Sequence, residues 1–258
     1  MILYFSGSGN NKFIANYINN KLNDEVVSIN DIIKFNQSLN FNSIKPYVII
    51  SPIYAWRYPK IIEDLLLQAN FNGSKEIYFI ASMGLNCGNA DKYLKNITKS
   101  KNMHYKGFAK IIMPSNYVVS EKAETETNAI KIIKDSLPLL DTLSNLINSD
   151  KNFNEPKKEF FGDLYSSFLN YGFNNFYKSS KKFKVDDSCI KCKKCITVCP
   201  LNNVSMKNGN ITFSTNCMFC LSCINNCPVN AITYNGKKNG TYLCPSKEKI
   251  FKQYCNCL

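Results

Sequence analysis

Short runs of β-branched and aromatic residues alternate, over residues 1 to about 118, with stretches whose apolar positions recur every three or four residues. Runs of the first kind, at 1–5, 25–29, 46–51, 76–82 and 108–113, predict strands, and the stretches at 11–22, 58–69, 88–99 and 121–148 predict helices. In the last of these, Ile130, Ile133, Leu137, Leu140, Leu143 and Ile147 share one face. Pro138 inside it is expected to kink or divide the helix, because proline lacks the N–H and crowds the preceding turn. Strand and helix in alternation predict a parallel sheet covered by helices on both faces. Residues 149–156 (Ser-Asp-Lys-Asn-Phe-Asn-Glu-Pro) read as a linker, and the aromatic-rich amphipathic stretch near 158–178 is expected to pack the two parts of the chain together.

The C-terminal part follows no such alternation. Its organising feature is a repeat: Cys189-Ile-Lys-Cys-Lys-Lys-Cys-Ile-Thr-Val-Cys-Pro returns 28 residues later as Cys217-Met-Phe-Cys-Leu-Ser-Cys-Ile-Asn-Asn-Cys-Pro. A repeat of this kind implies a pseudo-twofold unit. Both copies read Cys-x2-Cys-x2-Cys-x3-Cys-Pro, the spacing in which three thiolates wrap one [4Fe-4S] cluster and the fourth reaches the other. The ligand sets therefore cross. One is Cys189, Cys192, Cys195 and Cys227; the other is Cys217, Cys220, Cys223 and Cys199. Pro200 and Pro228 end the turn that carries the fourth ligand. Zinc, the alternative, uses four-cysteine or mixed sites and does not require two copies that each end in Cys-Pro.

Composition narrows the picture. A chain of 258 residues accommodates two unequal domains, here 1–148, a helical linker 149–182, and 183–258. No apolar run reaches the roughly 18 residues needed to span a bilayer. Met1 opens directly onto Ile2-Leu3-Tyr4-Phe5 without a basic leader or small-residue cleavage site, so a cytoplasmic location is expected. Twelve cysteines would suit a disulfide scaffold in an exported chain, but eight of them follow metal-ligand spacing. The formal net charge of +13 is uneven, since residues 178–258 hold 13 Lys against 3 acidic residues. Those lysines sit among the cysteines, where they offset cluster charge and suit an acidic redox partner better than nucleic acid.

Candidate chemistry in the first part lies after the first strand. Ser6, Gly7, Ser8, Gly9, Asn10 and Asn11 lead into a helix, so hydroxyls, backbone N–H groups and a helix N-terminus converge where an anion can sit. The same composition also makes an ordinary strand-to-helix turn. The loop lacks the Gly-Lys-Ser/Thr of a P-loop and the Gly-x-Gly-x-x-Gly of a dinucleotide site, which leaves FMN as a better match than ATP or NAD.

With these residues in view, positions 183–235, including Cys-Pro-Val-Asn-Ala-Ile at 227–232, resemble bacterial two-cluster ferredoxins, and positions 1 to about 145 resemble flavodoxins. Together they resemble the fused flavodoxin-like and 2[4Fe-4S] ferredoxin proteins of anaerobes. The resemblance implies a doubly wound α/β domain with a five-stranded parallel sheet in the order 2-1-3-4-5, followed by a small α+β two-cluster domain. It implies FMN with its phosphate on Ser6–Asn11 and its ring between two loops, 51–59 and 82–89. From the first loop come Pro52, Tyr54 and Trp56, with Trp56 preferred over Tyr54 for stacking. From the second come Ser82, Met83, Gly84 and Gly88, and Asn116 follows the fifth strand. Tyr54, Trp56 and Tyr58 would equally pack an ordinary corner. Asn11 departs from the Thr or Ser usual at the end of the phosphate loop, and 82–90 lacks a second covering aromatic.

The function that follows is electron transfer: FMN exchanges one or two electrons, each cluster exchanges one, and external redox partners with acidic docking surfaces supply or take them. Two alternatives are a flavin-dependent reductase of a small acceptor fed through the clusters, and a cluster-based sensor without flavin. Cys244, Cys255 and Cys257 read as free thiols, Cys87 as a packed thiol, and His104 as a surface residue.

Overall fold

The computed structural model describes residues 1–154 and 159–252. Its N-terminal part runs β1 (Ile2–Tyr4), α1 (Asn10–Leu22), β2 (Val26–Ser28), α2 (Ile29–Lys34), β3 (Asn40–Ser43), β4 (Tyr47–Pro52), α3 (Lys60–Gln68), β5 (Asn70–Gly73), β6 (Glu76–Met83), α4 (Ala90–Ser100), β7 (His104–Ile112) and α5 (Glu126–Asn148). Five strands form one sheet in the order β2-β1-β4-β6-β7, all parallel, with Ile2 opposite both Val26 and Val48. This is the flavodoxin-like order expected, with two strands inserted. The short β3 and β5 pair with each other outside the main sheet.

Alternation along the central strands explains the layers. In β4 all of Tyr47–Ser51 is buried, so successive side chains feed opposite faces. Val48 and Ile50 join Ile14 and Ile18 of α1 and Ile133, Leu140 and Leu143 of α5 on one side. Tyr47 and Ile49 join Leu66 of α3 and Leu94 of α4 on the other. Each fully buried Ile or Leu contributes about 1.5–3 kcal/mol, so these two layers hold the β1 and β4 ends in place.

Pro138 does not divide α5, which continues through it from Glu126 to Asn148. Pro138 and Lys134 both lie on the exposed side of the helix. The carbonyl left without its i+4 donor therefore faces water, where its loss is cheap. Thr125 caps the N-terminus by accepting a hydrogen bond from the Asn128 N–H, so the helix begins five residues later than the periodicity suggests.

After α5, Phe153 returns to the sheet, its N–H donating to the Lys106 carbonyl. Gly107 (φ +129°) leaves room for it, since a Cβ there would lie 2.5 Å from Phe153 Cβ. A bridging helix of mixed α and π turns fills 162–177. The C-terminal module follows, with two antiparallel ribbons: β8 (Phe183–Val185) with β11 (Ile232–Tyr234), and β9 (Val204–Lys207) with β10 (Asn210–Phe213). Among the described residues, no helix is long and apolar enough to cross a membrane.

Candidate redox centres and the loops around them

The repeat of 28 residues is repeated in the backbone. Lys191 and Phe219, Lys193 and Leu221, and Asn202 and Asn230 are three pairs 28 apart, all with positive φ between 49° and 65°. Non-glycine residues adopt this region rarely; here it curls each Cys-x2-Cys-x2-Cys loop around a hollow. The short helices Lys194–Thr197 and Ser222–Asn225 then carry the chain from third to fourth cysteine. Backbone N–H groups turn toward sulfur in matching positions, Asn203 to Cys199 Sγ and Ala231 to Cys227 Sγ, both at 3.2 Å.

The eight cysteines sort into two cavities. One is lined by Cys189, Cys192, Cys195 and Cys227, the other by Cys199, Cys217, Cys220 and Cys223. The first three cysteines of each motif thus share a cavity with the fourth of the other. No disulfide joins the ten described cysteines. Among the described residues, no three His, Cys, Asp or Glu side chains stand close enough to hold one metal ion. Four thiols lining one cavity fit a polynuclear cluster, whose corners each take one thiolate, and two copies each ending in Cys-Pro are not what zinc requires.

The two cavities differ in setting. In the first, Cys192 is exposed, and Lys191, Lys193 and Lys194 are exposed around it. The second lies under the N-terminal part: Cys199 and Cys220 are buried, and Met218 and Cys220 join the same apolar cluster as Phe5 and Ile49. Lys34 at the end of α2 fastens this junction by donating to the carbonyls of Ile196, Thr197 and Cys199. A cation at the end of a short helix satisfies carbonyls that have no partner inside it.

The phosphate-type loop has the expected donors. Gly9 caps α1 in a left-handed conformation with no side-chain cap, leaving the helix N-terminus to an anion. Asn30 holds the loop at both backbone atoms of Ser6, and Ser6 Oγ accepts from the Gly9 N–H. Asn11 donates to the Phe5 carbonyl while its Oδ1 is buried with no hydrogen-bond partner. This chemistry fits a phosphate. The outer face of the loop, however, meets the C-terminal module: a Cβ on Gly7 would lie 2.4 Å from the Cys220 carbonyl, and one on Gly9 3.0 Å from Cys244 Cβ. The Cys244 N–H donates to the Ser8 carbonyl at 2.8 Å, and the Tyr242 hydroxyl to Asn10 Oδ1 at 2.7 Å. Asn10 in turn donates to Pro114, and Asn116 accepts through its carbonyl from Asn225 Nδ2.

The two loops expected to flank a flavin ring are held by the bridging helix. Trp56 stacks on Tyr165 with ring centroids 5.1 Å apart. Its carbonyl accepts from Ser166 Oγ, which also accepts from the Asn89 N–H. Asn170 Nδ2 donates to the carbonyls of Tyr54 and Ala55, and Gly88 packs against Ser166 and Trp56. Pro52 ends β4, Ser82 and Met83 are buried on β6, and Gly84 is exposed. Tyr58 is core, its hydroxyl donating to the carbonyls of Ile49 and Ile80. Donor chemistry at the loop therefore suits FMN, while Cys220 and Cys244 lie against the loop itself and Tyr165, Ser166 and Asn170 engage the loops expected to flank the ring.

Tyr54 points elsewhere. Its hydroxyl is buried and has no hydrogen-bond partner. Burial raises its pKa well above the ordinary value, and the charges of Cys220 and Cys217 add to the rise. Beside it, a cavity of about 240 Å³ is lined by Lys60, Phe173, Lys178 and Cys217 among others.

Of the remaining thiols, Cys87 is buried among Gly88, Lys110 and Glu159, and burial pushes its pKa up to about 11. Cys244 is likewise pushed up to about 12. Cys255 and Cys257 lie outside the described residues. His104 is a surface residue whose Nδ1 lies 2.8 Å from Glu76. Asn30, Lys34, Ser166, Asn170, Asn225 and Tyr242 organise the site without having been singled out from sequence. Only the polar period at 162, 166, 170 and 174 offered a signal.

Comparison with known proteins bears on both halves. Residues 1–111 match the family model of the flavodoxin domain, and residues 181–228 that of the 4Fe-4S dicluster domain. The first match supports FMN and the second iron-sulfur clusters. No curated protein matches the chain. Among solved structures it is similar to a flavoprotein in complex with FMN from Lactobacillus acidophilus NCFM, at 20% identity over 42% of this chain and 90% of that one, TM-score 0.33. It is also similar to the Trp repressor binding protein from Bacillus subtilis, at 16% identity over 57% and 97%, TM-score 0.36. A third is an NADH:FMN oxidoreductase in its apo form, at 14% identity over 65% and 97%, TM-score 0.39.

Proposed function

We propose that this chain, a flavodoxin domain joined to a 4Fe-4S dicluster domain, is an electron-transfer protein whose eight motif cysteines hold two [4Fe-4S] clusters. The carrying observation is the sorting of those cysteines into two cavities of four with the fourth member exchanged. Ser6–Asn11 supply the donors for the phosphate of FMN. When bound, FMN exchanges one or two electrons, whereas a cluster exchanges one.

The residues around the two cavities suggest a direction in space. Exposed Lys191, Lys193 and Lys194 beside Cys192 favour an acidic redox partner at the first cavity, since complementary charge steers encounter. The second cavity faces inward, toward Tyr54 and the flavodoxin domain. Tyr54 would donate its unpartnered hydroxyl to sulfur at the second cavity, and a donor there stabilises the reduced, more negative cluster. Tyr54→Phe is expected to lower one cluster potential by about 40 mV, the one-electron equivalent of a hydrogen bond worth about 1 kcal/mol. Stepwise titration followed by electron paramagnetic resonance reads this; two unmoved potentials, or two moved equally, would count against the assignment.

The covered phosphate loop favours a second reading, in which the clusters carry electrons with no flavin bound while the two halves stay closed together. Anaerobic purification with iron, sulfide and flavin quantified separates the two. The first reading expects about eight iron and one FMN per chain, and the second about eight iron without flavin. Zinc without sulfide would overturn both.

A further inference from the structure

The bridging helix is amphipathic in the reverse sense. Gly162, Ser166, Asn170 and Asn174, four residues apart, form its inward line, and the polar side chains among them bond to the flavodoxin-domain loops or to one another. Two residues out of phase, on the opposite side, Phe160, Leu164, Phe168 and Phe176 are exposed by 95%, 51%, 71% and 78%, with Tyr171 exposed beside them. A period of four drifts around an ideal α-helix. The π turns at Tyr165–Leu169 and Phe173–Tyr177 widen the winding, so both lines stay on their own sides. A helix that folds inward on its polar side has spent its packing there and leaves its apolar side for something outside the chain.

Charge says what. Residues 164–185 carry four lysines, Lys178, Lys181, Lys182 and Lys184, of which the last three are exposed, and no Asp or Glu. Of the flanking carboxylates, Asp163, Glu159 and Asp186 pair with Lys92, Lys110 and Lys238, and Asp187 is exposed. An exposed apolar stripe about 18 Å long from Leu164 to Phe176 at 1.5 Å per residue, preceded by Phe160 and followed by a cluster of lysines, matches the interfacial region of an anionic bilayer. Phenyl rings enter the acyl boundary there and ammonium groups meet phosphates. We propose that the exposed aromatic face of the bridging helix docks the protein, without spanning, on an anionic lipid surface.

The test uses the full chain, prepared anaerobically, with vesicles of phosphatidylcholine alone or mixed with phosphatidylglycerol. The full chain is expected to sediment with the mixed vesicles, less with phosphatidylcholine, and less again as salt is raised. Phe160→Ser, Phe168→Ser and Phe176→Ser combined should lower partitioning at least about tenfold with cluster absorption unchanged. Phe168→Trp should shift its emission to the blue on the mixed vesicles, against the single native Trp56. Failure of the full chain to bind either vesicle overturns the proposal. So does a concentration-dependent dimer in sedimentation velocity that the same substitutions abolish, because a second copy would then cover the face.

Discussion

Cys199→Ala is expected to empty the cavity of the second motif, although Cys199 belongs to the first. Iron should fall from about eight to about four per chain. Cys217→Ala should do the same, and the double variant should lose no more than either single one, because both thiols line one cavity. Cys199→Ala combined with Cys189→Ala should leave almost no iron, since Cys189 lines the other. An uncrossed arrangement predicts the reverse pattern: Cys199 would pair with Cys189, and Cys199 with Cys217 would be the combination that removes everything. Iron analysis on four proteins decides between them, and a cluster held by three cysteines in any single variant would show as a [3Fe-4S] resonance in place of the loss.

The second large effect concerns stability. Arg57, on the loop after β4, donates to both carboxylate oxygens of Glu63 and stacks 3.5 Å over the Tyr93 ring. Glu63 is only 5% exposed. Burial raises its pKa above the ordinary 4.5, and Arg57 works against that rise. Arg57→Ala leaves a buried carboxylate without its hydrogen-bonded counter-ion, Lys60 acting only at longer range, and about 3 kcal/mol of stability should be lost at neutral pH. The sign with pH follows from the same shift. Without Arg57 the folded-state pKa climbs further, so the folded chain holds a proton that the unfolded chain has released. The deficit is therefore full above the folded-state value, shrinks as pH falls through the interval, and leaves only lost packing below the ordinary carboxylate value. Glu63→Gln in the Arg57→Ala background should restore most of it at pH 7. Urea midpoints across pH check this, and a deficit that does not change with pH would mean that Arg57 acts through packing on Tyr93.

Much of the fold was legible because its signals are local. The five main strands are runs of adjacent β-branched and aromatic residues, and the cysteine spacing encodes its crossed sets in two stretches of twelve residues. The short β3 and β5 escaped because each carries one buried apolar side chain, Phe41 and Phe71, between exposed or half-exposed polar ones, which is too little for a period. Pro138 misled because its cost depends on which side of the helix it faces. The surroundings of Tyr54 and Trp56 were not legible at all. Asn170 meets Tyr54 across 116 positions, and Ser166 meets Trp56 across 110. The four-residue polar line at 162–174 was visible, but apolar-inward is the default orientation, and only the carbonyls of 54–56 explain its reversal.

The latch between Tyr242 and Asn10 joins residues 232 positions apart, and the Cys244–Ser8 bond beside it is longer-range still. Contacts of such separation carry the largest loop-closure cost and are expected to form after local hairpins and helices have shortened the path between their ends. The cluster cavities impose the same order: the one holding Cys189 is incomplete until Cys227 has been synthesised. The flavodoxin domain can thus condense first with its phosphate loop open. On this timetable the interval before the latch closes is when a nucleotide would most readily enter, which makes cofactor loading a matter of folding kinetics as well as affinity.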